Sequence, residues 1–164
     1  MVGHSDSQLV QAWLAAASDP AVAGELQTLF ARVNAAIATR GPACWASGRC
    51  CNFEAFGHRL YVTGLEAAYT VASLKPGEHP PLSRESLADA LSRGGCPFQI
   101  ANLCGVHTIK PLACRVFFCD RSAQAWQGEL LESLIVDLRA LHDRHDIPYR
   151  YAEWRGLLGM FLAP

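Results

Sequence analysis

The residues most able to do chemistry in this sequence are seven cysteines: Cys44, Cys50, Cys51, Cys96, Cys104, Cys114 and Cys119. They form two groups, residues 44–51 and 96–119, with none before or after. Thiolates grouped in this way are ligands for soft metals, which means zinc, Cu(I) or an iron–sulfur cluster. An odd number of cysteines, with no secretory signal in the opening MVGHSDSQLV, argues against a disulfide framework. The plain alternative is that each is a small buried hydrophobe. Scattered core cysteines, however, do not gather beside Gly, Pro and Arg as these do.

The spacings are C-x5-CC, then C-x7-C-x9-C-x4-C. They match neither the paired knuckles of zinc fingers and ribbons nor the bacterial ferredoxin run. Adjacent side chains diverge, so Cys50 and Cys51 either serve a multinuclear site or divide into one ligand and one packing residue. On a continuous helix Cys114 and Cys119 would lie about 140° apart around the axis. The spacing therefore predicts a helix that breaks near Phe118, or different roles for the two. Trp45, Phe53, Phe56, Phe98, Phe117 and Phe118 lie close to cysteines in sequence and offer a shell that limits solvent access. Arg49 and Arg115 adjoin Cys50 and Cys114. Positive charge there favours thiolates, the alternative for each being an ordinary surface charge.

The blocks carrying these cysteines resemble a known family. Cys44-Trp-Ala-Ser47-Gly48-Arg49-Cys50-Cys51 is similar to the CxxCGxCC opening of the CxxCxxCC (YkgJ-like) cysteine-cluster family of zinc- or iron-chelating domains. Cys96-Pro-Phe-Gln, Cys104-Gly-Val-His and Lys110-Pro111-Leu-Ala-Cys114-Arg115-Val-Phe-Phe-Cys119 resemble its CPFL, CxIY and RPxxCRxFxC blocks, in the family's order. The likeness spans residues 44–119. Ser47 stands where the family often has a further cysteine, Lys110 replaces the usual Arg, and His107 stands near the usual Tyr. The resemblance implies a metal-bound cysteine cluster with Cys51, Cys104 and Cys114 as the firmest ligands. The fourth would come from Cys44, Cys50, Cys96 or Cys119, and His107 is a conceivable substitute. A flagellin lysine methylase of that family looks like a longer version with an iron–sulfur cluster. No G-x-G-x-x-G is present, so methyl transfer is not carried over; G-x-S-x-G, P-loop and H-E-x-x-H motifs are absent as well.

Helices must position these loops. Residues 5–17 read as a helix capped by Ser5 or Asp6. Asp19 and Pro20 open a second helix, with a stripe of Val22, Leu26, Leu29, Phe30, Val33 and Ile37, and Gly41-Pro42 stops it. Residues 59–62 look extended. Thr63 with Glu66 is a capping box for a helix to about Leu74. Ser83 caps another helix through Ser92, ended by Gly94-Gly95. Lys110-Pro111 starts a short helix with Pro in its first position. A long helix runs from about Ser122 to His145 with a stripe of Trp126, Leu130, Leu134, Leu138 and Leu141. Residues 149–164 are apolar enough to pack back onto the body. His142 and His145 read as a solvated helix end, and Glu54 and Glu66 have no evident acid/base partner.

The expected fold is therefore one mostly α domain over residues 1–164, with cysteine-rich loops held between helices. Hydrophobic residues make up 51% of the 164, which excludes wholesale disorder. A formal net charge of −1 speaks against a broadly basic nucleic-acid binder. No run approaches the ~18 apolar residues of a membrane span. The sequence thus predicts a cytoplasmic protein that binds a [4Fe-4S] cluster for redox chemistry or chemistry with a protein partner. A structural zinc site in an interaction module is the alternative, and a metal-dependent modifying enzyme is the third reading.

Overall fold

A computed structural model describes residues 3–44 and 46–163. Its helices begin where local chemistry satisfies their first N–H groups. Ser5 and Gln8 form a reciprocal capping box at the start of α1 (Asp6–Ser18). Asp19 accepts from the Ala21 and Val22 N–H groups, and Pro20 opens α2 (Pro20–Arg40). Gly41, at φ 62°, closes it in the left-handed region. Thr63 and Glu66 box the start of α3 (Gly64–Ala72), and Ser83 and Ser86 that of α4 (Arg84–Ser92). Then come α5 (Leu112–Val116), α6 (Gln124–Arg144) and α7 (Trp154–Met160). The molecule is mostly α, as expected. Buried apolar side chains from all of these helices meet in one core. No helix among the described residues is long and apolar enough to cross a membrane.

Four short strands complete the fold, and the sequence pattern pointed only to the first. β1 (Tyr61–Thr63) pairs antiparallel with β4 (Tyr151–Glu153), Val62 opposite Ala152. β2 (Gln99–Ile100) and β3 (Leu103–Cys104) form a hairpin. The last stretch does pack back, through β4 and α7. The extended reading of residues 59–62 lies two residues early.

The closest helix contact sets a strict requirement. α1 lies on α3 with Trp13 seated on Gly64, and the Trp13 indole donates to the Pro148 carbonyl at 2.7 Å. A Cβ at Gly64 would stand 2.2 Å from the Trp13 ring. Gly64→Ala is therefore expected to destabilise by about 1–3 kcal/mol through overpacking. Thermal unfolding checks this, and an unchanged melting temperature would refute it.

Three readings need correction. Pro111 is the cap of α5 and not its first residue, which leaves that helix without a side-chain cap of its own. In α6, which starts at Gln124 after a 3-10 turn over Arg121–Ala123, Trp126 and Leu130 are only partly buried while Gln127 turns inward. The end of α6 is not solvated at His142. That ring is fully buried, packed edge-on against Tyr149 with Nδ1 3.3 Å from the Ile147 carbonyl. His145 instead pairs with Glu25 at 2.7 Å.

Burial pushes the His142 imidazole below its ordinary 6.5, because a charged ring there would be desolvated. A histidine with a depressed folded pKa contributes stability that is complete above its unfolded pKa. That stability is lost as pH falls through 6.5 toward the folded value. The melting temperature is expected to drop on acidification below pH 6.5, and His142→Phe is expected to flatten that part of the profile. An equally steep profile in the variant would exclude His142 as the cause.

Candidate functional site

Backbone bonds join the two cysteine groups. In the first loop Gly48, at φ 75°, turns the chain into a 3-10 turn over Arg49–Cys51. The left-handed φ favours glycine there, and a Cβ would also crowd the Gln99 amide at 2.8 Å and the Asn102 Cα at 3.3 Å. The Gln99 side chain donates to the Gly48 carbonyl at 3.3 Å. The Cys96 N–H donates to the Cys51 carbonyl at 2.9 Å, and the Glu54 N–H to the Gly94 carbonyl at 3.0 Å. Arg93 holds the Cys96 carbonyl at 2.7 Å. At the other end of the loop the Ala43 N–H donates to Asp120, which brings Cys44 toward Cys119. Ser47 Oγ lies 3.5 Å from Cys119 Sγ.

The remaining cysteines are set by three anchors. The β2–β3 hairpin carries Cys104. α5 carries Cys114, and its uncapped start is held by Glu66, whose Oε1 accepts the Leu112 N–H at 2.9 Å. Oε2 of the same carboxylate accepts from the Thr63 N–H and hydroxyl. Burial pushes this carboxyl up, while its three donors and nearby Arg115 pull against that. Arg115 is itself buried. It donates to the Lys110 and Thr108 carbonyls and lies 4.0 Å over the Phe30 ring, so the surface reading of this residue is wrong. The helix ends at Val116, one turn before Cys119. Gln127 then fixes the exit by accepting from the Phe118 N–H at 2.6 Å and donating to its carbonyl at 3.3 Å.

These anchors bring all seven predicted cysteines to one region. Cys44, Cys50, Cys104, Cys114 and Cys119 line a single cavity of about 200 Å³. Cys51 and Cys96 are buried behind it, and the Cys51 thiol interacts with Cys50, Cys96 and Cys104. Of the vicinal pair, Cys50 lines the cavity and Cys51 is buried behind it. As placed, no group of three or more His, Cys, Asp or Glu side chains among the described residues could hold a single metal ion.

The thiols do not titrate alike. Cys50 and Cys104 are each drawn down to about 6, first by hydrogen bonding to Cys51; Lys110 assists at both and Arg115 at Cys104. Cys96 is lowered too, again first by Cys51. Cys51 is raised by the same three contacts, and burial raises Cys114. Cys51 carries one S–H and can donate it to one neighbour at a time. The Trp154 indole N–H is buried with no partner at hydrogen-bond distance, and it favours the thiolate of Cys96.

His107 lines the cavity, and Lys110, burial and Arg115 push its pKa down, so it presents a neutral imidazole there. Arg49 is exposed, 4.9 Å over the Phe56 ring. Phe53 and Phe98 are core, Phe117 and Phe118 line the cavity, and Phe56 is exposed; Trp45 lies outside the described residues. Glu66, Gln127 and Trp154 are the positioning residues that sequence reasoning missed. Only Glu66 carried a signal, its place in the capping box.

No protein-family model, curated protein or solved structure matches the chain.

Proposed function

We propose that this protein holds an iron–sulfur cluster, [4Fe-4S] by its thiol supply, between its two cysteine loops. The cluster would serve redox chemistry, or chemistry carried out with a protein partner in the cytoplasm. The observation that carries the reading is the convergence of thiols from segments far apart in sequence: five line one small cavity, and Cys51 and Cys96 are buried behind it. That cavity, at about 200 Å³, exceeds the ~30 Å³ that one water occupies, so it has room for a multi-atom group. The resemblance of the four cysteine blocks to the CxxCxxCC family supports the same reading.

The donor set fits such a group. Ligands would come from Cys51, Cys104 and Cys114, with a fourth from Cys44, Cys50, Cys96 or Cys119. A bound cluster would supply one-electron transfer. The chain's own residues do the rest. Lys110 and Arg115 would offset thiolate charge, the buried Trp154 indole N–H would favour the Cys96 thiolate, and Phe117 and Phe118 would limit the approach of water. One observation favours a second reading. The burial of Cys51 and Cys96 beside Cys50 and Cys104 gives the donor count of a structural zinc site, although the four would have to move closer together to hold one ion.

An absorption spectrum of anaerobically purified protein, with metal and sulfide analysis on the same sample, tests the proposal. Brown colour with a shoulder near about 400 nm, iron and acid-labile sulfide are expected of a thiolate-held cluster. Colourless protein with stoichiometric zinc would transfer the thiols to the structural role and remove electron transfer.

A further inference from the structure

A second cleft adjoins the thiol cavity and has a different character. Its volume is about 350 Å³, within the range of small-molecule sites. It shares Phe117, Phe118 and Cys119 with the thiol cavity. Arg49, Arg121 and His58 line it, and no carboxylate does. Elsewhere Arg32, Arg93, Arg144, Arg150 and Arg155 each pair with an Asp or Glu, while Arg40, Arg84 and Arg115 are held by backbone carbonyls. Among the described residues Arg49 and Arg121 make no such pair, and the one recorded contact of the Arg49 guanidinium is with the Phe56 ring. The other walls are flat and aromatic. Phe56 is 48% exposed and Phe117 36%. The His58 ring stacks on Phe117 at 4.6 Å and 18°, which fixes that wall in place.

Unpaired guanidinium groups recognise carboxylate and phosphate oxygens, often with two parallel hydrogen bonds. Exposed aromatic faces beside them bury the flat apolar body of a ligand. We propose that this cleft binds a small organic anion, a carboxylate or phosphate ester on a planar apolar body. Its charged end would meet Arg49 and Arg121 and its flat body the Phe56 and Phe117 rings. A ligand seated there lies against Cys119, and so at the edge of the thiol site. The site is built from these side chains alone and requires no metal in the neighbouring cavity.

The test is a fluorescence titration of the full-length protein with 1-naphthoate and with 1-naphthyl phosphate, using 1-naphthol as the neutral control. At least one anion is expected to bind saturably and about tenfold or more tighter than 1-naphthol, and the two arms separate carboxylate from phosphate recognition. Gln124→Glu is the decisive variant. It places a negative charge in the cleft at the first residue of α6, which has no side-chain cap. A carboxylate at a helix N-terminus stabilises the helix, so the fold is kept while the anion is repelled. That variant, and the Arg49→Ala/Arg121→Ala pair, are expected to weaken anion binding about tenfold or more with 1-naphthol binding unmoved. Equal binding of 1-naphthol and the anions, no saturable binding by either anion, or unweakened binding in Gln124→Glu would overturn the proposal. Metal analysis of the same samples keeps the two readings apart. Anion binding by metal-free protein leaves this cleft standing while the cluster reading falls, and the reverse outcome does the opposite.

Discussion

With the proposed cluster bound, Cys51→Ser is expected to cost the protein most of that metal and to lower its melting temperature by more than about 10 °C. Cys51 is buried at the centre of the group, interacting with Cys50, Cys96 and Cys104. Its carbonyl also receives the Cys96 N–H that joins the two loops. A metal bound by such a set contributes its binding free energy directly to folding. In a chain of this length each kcal/mol lost lowers the melting temperature by about 2–4 °C. Losing several kcal/mol with one ligand gives the stated shift. Cys44→Ser is the matched control: Cys44 is exposed on the outer wall, and its loss is expected to leave metal content and melting temperature near those of the parent. Metal analysis and calorimetry on both variants decide the matter. A Cys51→Ser protein with full metal and an unshifted transition would remove Cys51 from the ligand set.

Glu66→Ala carries the second-largest expected effect, and it acts at a distance from the thiols. The carboxylate is 2% exposed and serves three donors: the Thr63 N–H, the Thr63 hydroxyl and the Leu112 N–H. Leaving buried donors without an acceptor costs about 1–3 kcal/mol each, so a total loss of about 3–5 kcal/mol is expected once relaxation is allowed. α3 loses its capping box and α5, five residues long, loses the group that holds its start. Amide exchange at Leu112 is therefore expected to accelerate, and metal retention to fall although no thiol has been touched. Glu66→Gln keeps one acceptor oxygen but turns an NH2 toward donors, and is expected to fall between parent and alanine. If Glu66→Ala unfolds within about 1 kcal/mol of the parent, the carboxylate does not organise this junction.

Helix starts were legible because capping is a local code. Ser5, Asp19, Thr63 and Ser83 each bond to N–H groups two or three residues on, and those positions can be read from the chain alone. The grouping of the cysteines was legible for the same reason. What stayed hidden depends on partners far away in sequence. β1 and β4 are three residues each, too short for periodicity, and exist because they find one another. Gln127 interrupts an apolar stripe and reads as solvent-facing until Phe118 is placed beside it. His142 looks like one of a charged group at a helix end, yet the turn at Ile147 and Tyr149 folds over it. Arg115 could be read either way because its worth lies in Phe30 and in two loop carbonyls, none of which the local sequence reveals.

The place of Trp154 has a consequence for how the protein is made. It heads α7, packs on Phe98 with ring centroids 6.0 Å apart, and its buried indole N–H favours the Cys96 thiolate. Beside it Arg155 ties the first cysteine loop to the last strand through Glu54 and Glu153. Domains emerge from the ribosome from the N-terminal end. A nascent chain that has released Cys119 must still deliver α6 and β4 before Trp154 and Arg155 can close over the thiols. Through that interval all seven cysteines are outside the ribosome and the wall behind Cys96 is missing. The order of synthesis thus leaves the thiols open to a metal donor, and equally to oxidants, until the last helix arrives.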